Sequence, residues 1–82
     1  IHLTKYMSAY MAPFNVRVNS ISPGGVFNNQ DPKFVKKYSN KVPLNRMAKP
    51  SELKSSLAFL TSPDSSYLTG QNIIVDGGFT AQ

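Results

Sequence analysis

The spacing of the apolar side chains predicts two helices. Over residues 1–13 the larger apolar and aromatic side chains recur every three or four positions, which places them on one helical face. They are Leu3, Tyr6, Met7, Tyr10 and Met11. Pro13 and Asn15 are expected to close this helix, since Asn accepts the left-handed conformation common at helix ends. A second helix is predicted over residues 51–61, with Leu53, Leu57, Phe59 and Leu60 available for burial.

Two short apolar segments predict β-strands on either side of that second helix. Residues 16–21 are rich in β-branched side chains and stop at a proline and two glycines, where extension ends. Residues 72–76 are mostly apolar, as in a strand that is buried on both faces of a parallel sheet. The order helix, strand, loop, helix, strand predicts an α/β fold with parallel strands joined by a right-handed crossover.

The segment between the first strand and the second helix is polar and basic. Asp31 and Pro32 supply an N-cap and a first helical position, so a short helix over residues 32–40 is expected. The net charge is +5, and seven of the nine basic residues lie between Lys33 and Lys54. Few aromatic residues accompany them, which disfavours nucleic-acid binding. A loop that attracts an anionic small molecule and a merely solvated basic face both remain open.

Composition excludes several classes of protein. Eighty-two residues form one small domain at most, and with no cysteine and one histidine we expect no disulfide framework and no metal site. The apolar runs are too short for a membrane helix, and the lack of cysteine fits the cytoplasm. No G-x-S-x-G motif supports a hydrolase. Because the sequence lacks a starting methionine, we expect it to begin inside a helix.

Three strings in this order resemble the short-chain dehydrogenase/reductase family. They are N-V-R-V-N-S-I-S-P-G from Asn15, P-L-N-R-M from Pro43, and T-G-Q-N-I-I-V-D-G-G from Thr69. The resemblance covers most of the chain and implies the last two parallel strands of a doubly wound Rossmann-type sheet. Residues 1–13 would end the helix that carries the family's catalytic tyrosine and lysine. Those residues and the catalytic serine would lie upstream of Ile1, so no catalytic residue is expected here.

The resemblance also implies half of a site for NAD or NADP. The cofactor-binding residues would be Pro23, Gly24, Gly25 and Val26, at the carboxyl end of the first strand, with the Val26 backbone holding the carboxamide. A mere chain-turning role for Pro-Gly is the alternative. Asn28 stands where the family usually has threonine. Its side-chain amide could form a hydrogen bond to the cofactor, and the alternative is that Asn28 is an ordinary loop residue.

Residues 26–49 match the family's variable substrate loop. Phe27, Phe34 and Tyr38 are candidates to line the substrate pocket, although aromatic residues at helical spacing also occur in cores. Arg46 is a candidate to attract phosphate or carboxylate groups. The loop would close over the cofactor and a small-molecule substrate, and an anionic substrate fits its charge.

By this resemblance the whole protein transfers a hydride between NAD(P)(H) and a carbonyl or alcohol, and forms a homodimer or homotetramer. The tail is weakly similar to family members of flagellin-modification and sugar-biosynthesis pathways. A catalytically inactive scaffold or assembly module is the alternative function. The 82-residue chain alone is expected to be inactive and poorly folded, because its first strand exposes an unpaired edge.

Overall fold

The computed structural model describes all residues, 1–82, as three α-helices and two strands connected by loops and short 3₁₀ turns. The α-helices are α1 (His2–Met11), α2 (Pro32–Ser39) and α3 (Pro50–Thr61). The strands are β1 (Ser20–Pro23) and β2 (Asn72–Val75). Three 3₁₀ turns complete the chain: Ala12–Phe14, Pro63–Ser65 and Phe79–Ala81. No helix is long and apolar enough to cross a membrane.

The first helix ends as its sequence predicts. A 3₁₀ turn follows α1, and Asn15 adopts the left-handed conformation with φ of 60°. Its amide donates to the Ala12 carbonyl at 2.9 Å, which satisfies one of the free carbonyls at the helix end. The chain therefore leaves the helix at a fixed angle and enters the segment that leads to β1.

The two strands are parallel neighbours, as predicted for an α/β fold. Their register pairs Ser20 with Asn72 and Pro23 with Val75. The connection between them contains α2 and α3, so it is a crossover of the kind that parallel strands require. A two-stranded parallel sheet with flanking helices is the architecture of one part of a Rossmann-type sheet.

The prediction of a first strand at residues 16–21 is wrong in its bounds. Strand pairing begins only at Ser20, because the partner strand begins at Asn72 and the segment before it is a turn that contains Gly70 at φ of 76°. Pairing then continues through Pro23. The amides of Ser20 and Gly24 both donate towards β2. Because the amides of successive strand residues point to opposite sides, the nitrogen of Pro23 faces away from β2. The missing N–H of Pro23 therefore costs no hydrogen bond between the two strands.

The chain is elongated and has a very small core. Its radius of gyration is 15.3 Å, whereas a compact domain of this length has roughly 12 Å. Only three apolar side chains are buried: Val42, Met47 and Leu60. The expected burial of Leu57 and Phe59 is wrong for this chain, since both are more than half exposed and no second layer covers α3. These observations support the expectation that the isolated chain folds poorly.

A bridge between two distant backbone segments closes the base of the loop between β1 and α3. Val26 pairs with Ala48 in a parallel β-bridge. The Phe27 amide donates to the Ala48 carbonyl at 2.9 Å, and the Ala48 amide donates to the Gly25 carbonyl at the same distance. The loop therefore leaves the sheet and returns to it at one point, directly before α3 begins.

Candidate functional site

Residues 23–26, here called the glycine turn, lie at the carboxyl end of the sheet. The Gly24 amide donates to the Val75 carbonyl at 2.9 Å, which extends the pairing of β1 with β2 by one bond. A Cβ atom at Gly24 would come within 2.9 Å of the Asp76 Cα atom. Glycine is therefore needed here because the backbones at the ends of the two strands approach too closely for a side chain.

Tyr38 of α2 covers the glycine turn. Its hydroxyl oxygen accepts a hydrogen bond from the Gly25 amide at 2.7 Å. A Cβ atom at Gly25 would lie 2.6 Å from the Tyr38 Cζ atom, so only glycine leaves room for this ring. The ring stacks on Phe34, with the two centroids 6.1 Å apart, and on Phe79, with the two centroids 6.2 Å apart. We call Phe34, Tyr38 and Phe79 the aromatic column.

Val26 is held by its neighbours but keeps a free backbone donor. Its carbonyl accepts a hydrogen bond from the Gln30 side-chain amide at 2.9 Å. The bridge to Ala48 uses the Phe27 amide and the Gly25 carbonyl, not the Val26 amide. The Val26 N–H donates to no group of this chain. A rigid turn with an unpaired amide is suited to hydrogen bonding with a ligand acceptor.

Asn28 and Phe27 lie apart from the aromatic column. The Asn28 backbone amide donates to the Gln30 side-chain oxygen at 2.7 Å, whereas the Asn28 side chain makes no hydrogen bond and is exposed. Phe27 is also exposed. The structure therefore brings together Gly24, Gly25, Tyr38 and Phe34 of the predicted site and leaves Asn28 and Phe27 at its exposed margin.

Arg46 is paired within the chain. Its two terminal guanidinium nitrogens donate to the two carboxylate oxygens of Glu52, at 2.7 and 2.9 Å. Glu52 also accepts from the Lys49 amide at 2.8 Å, at the start of α3. The bonds from Arg46, followed by the bond from the Lys49 backbone, lower the pKa of Glu52 to about 2. Glu52 in turn raises the pKa of Arg46. The positive charge expected to attract an anion is thus balanced by Glu52.

The Asp76 carboxylate organises the turn that follows β2. It accepts hydrogen bonds from the Gly78 amide at 2.9 Å and from the Thr80 amide at 3.0 Å. The Thr80 hydroxyl donates to it at 2.7 Å. The bonds from the Thr80 side chain and backbone lower the pKa of Asp76. This turn places Phe79 against Tyr38.

A small cavity opens between the glycine turn and the start of α3. Its volume is about 90 Å³. It is lined by Gly25, Tyr38, Leu44, Arg46, Ala48, Glu52, Val75, Asp76 and Gly77. Small-molecule sites in proteins enclose roughly 300–1,000 Å³, so this cavity is too small to hold a dinucleotide by itself. These residues line a hollow beside the glycine turn.

Three residues that hold the glycine turn or the loop after it were not identified from the sequence. Gln30 braces Val26 and Asn28, and an Asn-Asn-Gln loop carries no signal for that role. Phe79 stacks on Tyr38 from a distant turn, which no local pattern indicates. Glu52 is the third residue of α3, which begins one residue earlier than predicted, and a glutamate at that position commonly bonds back to the backbone preceding the helix.

The parallel strands and the glycine-lined turn at their carboxyl end define an α/β protein of the dinucleotide-binding class. The sequence model of the enoyl-(acyl carrier protein) reductase family matches residues 1–80. A sorbose reductase of Candida albicans is 45% identical over 83 residues, which cover 96% of this chain and 30% of that protein. A ribulose-forming D-arabinitol 2-dehydrogenase of the same species is 36% identical, again over 96% of this chain and over 31% of its own length.

Solved structures agree with these matches. A crystal structure of a short-chain dehydrogenase from Leptospira borgpetersenii with bound NAD⁺ is 54% identical and superimposes with a TM-score of 0.89. The match covers 96% of this chain and 31% of that one. The chain belongs to the short-chain dehydrogenase/reductase family. It spans about a third of the length of the relatives that it matches.

Proposed function

We propose that this chain forms the nicotinamide side of the cofactor site in a full-length NAD(P)(H)-dependent oxidoreductase. The observation that carries the proposal is the free Val26 amide at the end of the glycine turn, at the carboxyl end of parallel strands, where ligands bind in open α/β sheets. Pro23, Gly24, Gly25 and Val26 would hold the carboxamide end of the cofactor. Asn28 is a further candidate contact from the exposed margin.

The fit of a nicotinamide to these residues follows from their chemistry. A carboxamide presents a carbonyl acceptor, which the unpaired Val26 amide can satisfy. The space beside Gly24 and Gly25 is filled by Asp76 and by the Tyr38 ring, so the proposed contact to the carboxamide depends on the Val26 amide. When bound, the reduced cofactor would donate a hydride to a carbonyl, and the oxidised cofactor would accept one from an alcohol. Proton transfer requires groups that this chain does not hold at the turn, and we place the serine, tyrosine and lysine of the family in the part of the protein upstream of Ile1.

The substrate loop, residues 26–49, is proposed to cover a small-molecule substrate. Phe34 and Tyr38 stand over the glycine turn, where they would exclude water from the reacting groups. Phe27 is exposed at the margin of the glycine turn. Arg46 would keep the loop attached to α3 through Glu52. The lysines of α2 are exposed, and they favour an anionic substrate.

We also propose that the full-length protein is a cytoplasmic homo-oligomer, a dimer or tetramer. Tyr6 and Tyr10 stack on the outer face of α1 with centroids 6.3 Å apart, and Tyr10 lies 6.4 Å from Phe14. All three rings are about two-thirds exposed. An apolar stripe of this kind is typical of a protein interface. The absence of cysteine supports the cytoplasmic location.

The cofactor proposal is tested by removing the Val26 amide from the full-length protein. Val26→Pro deletes the N–H but none of the hydrogen bonds within this chain, since the bridge uses Phe27 and Gly25. We expect NADH or NADPH, whichever the wild type binds, to bind about tenfold more weakly, as for an unmatched polar group in a site. Val26→Ala keeps the amide and is the matched control.

Fluorescence titration of the bound reduced cofactor measures this change. Circular dichroism melting of both variants verifies that they remain folded. Equal affinity for the cofactor in Val26→Pro and Val26→Ala would contradict the proposed contact. A wild-type full-length protein that binds neither NADH nor NADPH would overturn the function itself and favour the scaffold alternative.

A further inference from the structure

The Tyr38 hydroxyl is the one side-chain group that accepts a hydrogen bond from a backbone amide of the glycine turn. It accepts from the Gly25 amide at 2.7 Å, and its own proton donates to no group of the chain. Gly25 immediately precedes Val26, whose amide is the proposed contact to the carboxamide. The Val26 N–H lies in one peptide plane with the Gly25 carbonyl, which accepts from the Ala48 amide at 2.9 Å. The Tyr38 bond fixes the other side of Gly25, so the two bonds together set the direction of the Val26 amide.

Tyr38 is itself held from both sides. Phe34 packs 6.1 Å away on the same helix, and Phe79 packs 6.2 Å away with its plane 11° from that of Tyr38. Phe79 belongs to the turn that Asp76 fixes through its bonds to Gly78 and Thr80. The ring therefore connects α2, the glycine turn and the turn after β2. The ring stacks on both phenylalanines, and its hydroxyl and adjoining ring edge lie against Gly25.

We propose that Tyr38 is a positioning residue for the cofactor: its hydroxyl, aligned by the aromatic column, holds the Gly25 amide so that the Val26 amide points at the nicotinamide carboxamide. The inference rests on the proposed function. It assigns to Tyr38 a part in cofactor geometry, whereas the sequence indicated only a pocket-lining side chain. Tyr38 acts through the backbone and does not take part in proton transfer.

The experiment uses the full-length protein and the variant Tyr38→Phe, which keeps the ring and removes the hydroxyl. Hydrogen exchange of the Gly25 amide is measured first, without cofactor, and we expect it to accelerate about fivefold when its acceptor is lost. Tyr67→Phe is the matched control, because Tyr67 is fully exposed and its hydroxyl makes no hydrogen bond.

Affinity is then measured for two probes: the reduced cofactor and ADP-ribose, the fragment that lacks nicotinamide. We expect Tyr38→Phe to weaken binding of the reduced cofactor about fivefold and to leave ADP-ribose binding unchanged. A residue with only a structural role would weaken both probes equally, and that result would overturn the inference. Unchanged exchange at Gly25 would overturn it as well.

A second variant approaches the same contact from the other side. Gly25→Ala introduces a Cβ atom within 2.6 Å of the Tyr38 ring, so the ring must move away. We expect the same selective loss of cofactor affinity over ADP-ribose affinity. If the wild type binds neither reduced cofactor, the proposed function fails, while faster exchange at Gly25 in Tyr38→Phe still supports the backbone contact. The two failures are therefore distinguishable.

Discussion

The two ends of the small parallel sheet are stabilised in different ways. At the amino end, long polar side chains reach backbone groups that are distant in sequence. Arg17 donates to the carbonyls of Leu60 and Leu68 at 2.8 and 2.9 Å. Asn19 donates to the Leu68 carbonyl at 2.9 Å and accepts from the Gln71 amide at 3.0 Å. These bonds attach the end of α3 and the entry to β2 to the segment before β1.

The carboxyl end is built from glycine backbone, an aromatic column and a loop. Its contacts leave an unpaired amide at Val26 and a cavity of about 90 Å³ beside the turn. The amino end has an open hollow of about 520 Å³, but the Arg17 and Asn19 side chains that line it are bonded to distant backbone groups. This difference in bonding supports the proposal that the amino end maintains the fold and the carboxyl end binds a ligand. Substitutions at the two ends should therefore affect different measurements.

The largest effect on folding is expected from Arg17→Met at the amino end. The change removes two charge-assisted hydrogen bonds, but Leu60 and Leu68 each keep another donor, so we expect a loss of about 2 kcal/mol in the free energy of unfolding. Denaturant unfolding of the full-length protein measures it. Arg17→Lys, which keeps the charge, should recover part of the loss. If Arg17→Met bound the cofactor more weakly under conditions in which the variant is fully folded, the assignment of different roles to the two ends would be contradicted.

Gly24→Ala tests the carboxyl end and should have the next largest effect. The new Cβ atom would meet the Asp76 backbone at 2.9 Å, so the ends of β1 and β2 must separate. We expect roughly 1.5 kcal/mol of lost stability, as for other overpacked sites, and about tenfold weaker cofactor binding, measured by titration. Ser66→Ala, at an exposed serine without a side-chain hydrogen bond, is the control. Unchanged cofactor affinity in Gly24→Ala would contradict the proposal that the carboxyl end of the sheet binds the cofactor.

Glu52→Gln should have the smallest effect, and one that depends on pH. The pKa of Glu52 is about 2 in the folded chain and near 4.5 ordinarily, so its stabilisation is complete above about pH 5 and disappears as the pH falls towards 2. Because the Arg46–Glu52 pair is half exposed, the loss at neutral pH is small. Denaturant unfolding at pH 7, 4 and 3 measures it. Asp64→Asn, which breaks no salt bridge, should show no such trend.

The sequence predicted the helices better than the strands, for a physical reason. Helix ends depend on local residues, such as Asn15 in its left-handed conformation and Asp31 accepting from the Lys33 amide. Strand bounds depend on the partner. Residues 16–19 have the composition of a strand, but pairing starts at Ser20 because β2 starts at Asn72. The turn that precedes β2, and not the local residue pattern, therefore determines where β1 begins.

The candidate site could be predicted only where its residues are close in sequence. The glycine turn was apparent from its residue types and its position after a strand. The contact of Tyr38 with Gly25 joins positions 13 residues apart, and the stacking of Tyr38 on Phe79 joins α2 to the far end of the chain. Such contacts depend on how the loop folds back over the sheet. Local periodicity carries no information about that path.

The β-bridge between Val26 and Ala48 has a consequence for how such proteins diversify. Because the loop departs and returns through one pair of backbone hydrogen bonds, its exposed positions, such as Lys33, Lys36 and Lys37, can change in composition while the sheet and α3 keep their positions. Val42 and Met47 stay in the core during such changes, and they hold the loop to the rest of the chain. Natural selection, or a designer, can thus alter the surface of the loop without rebuilding the framework.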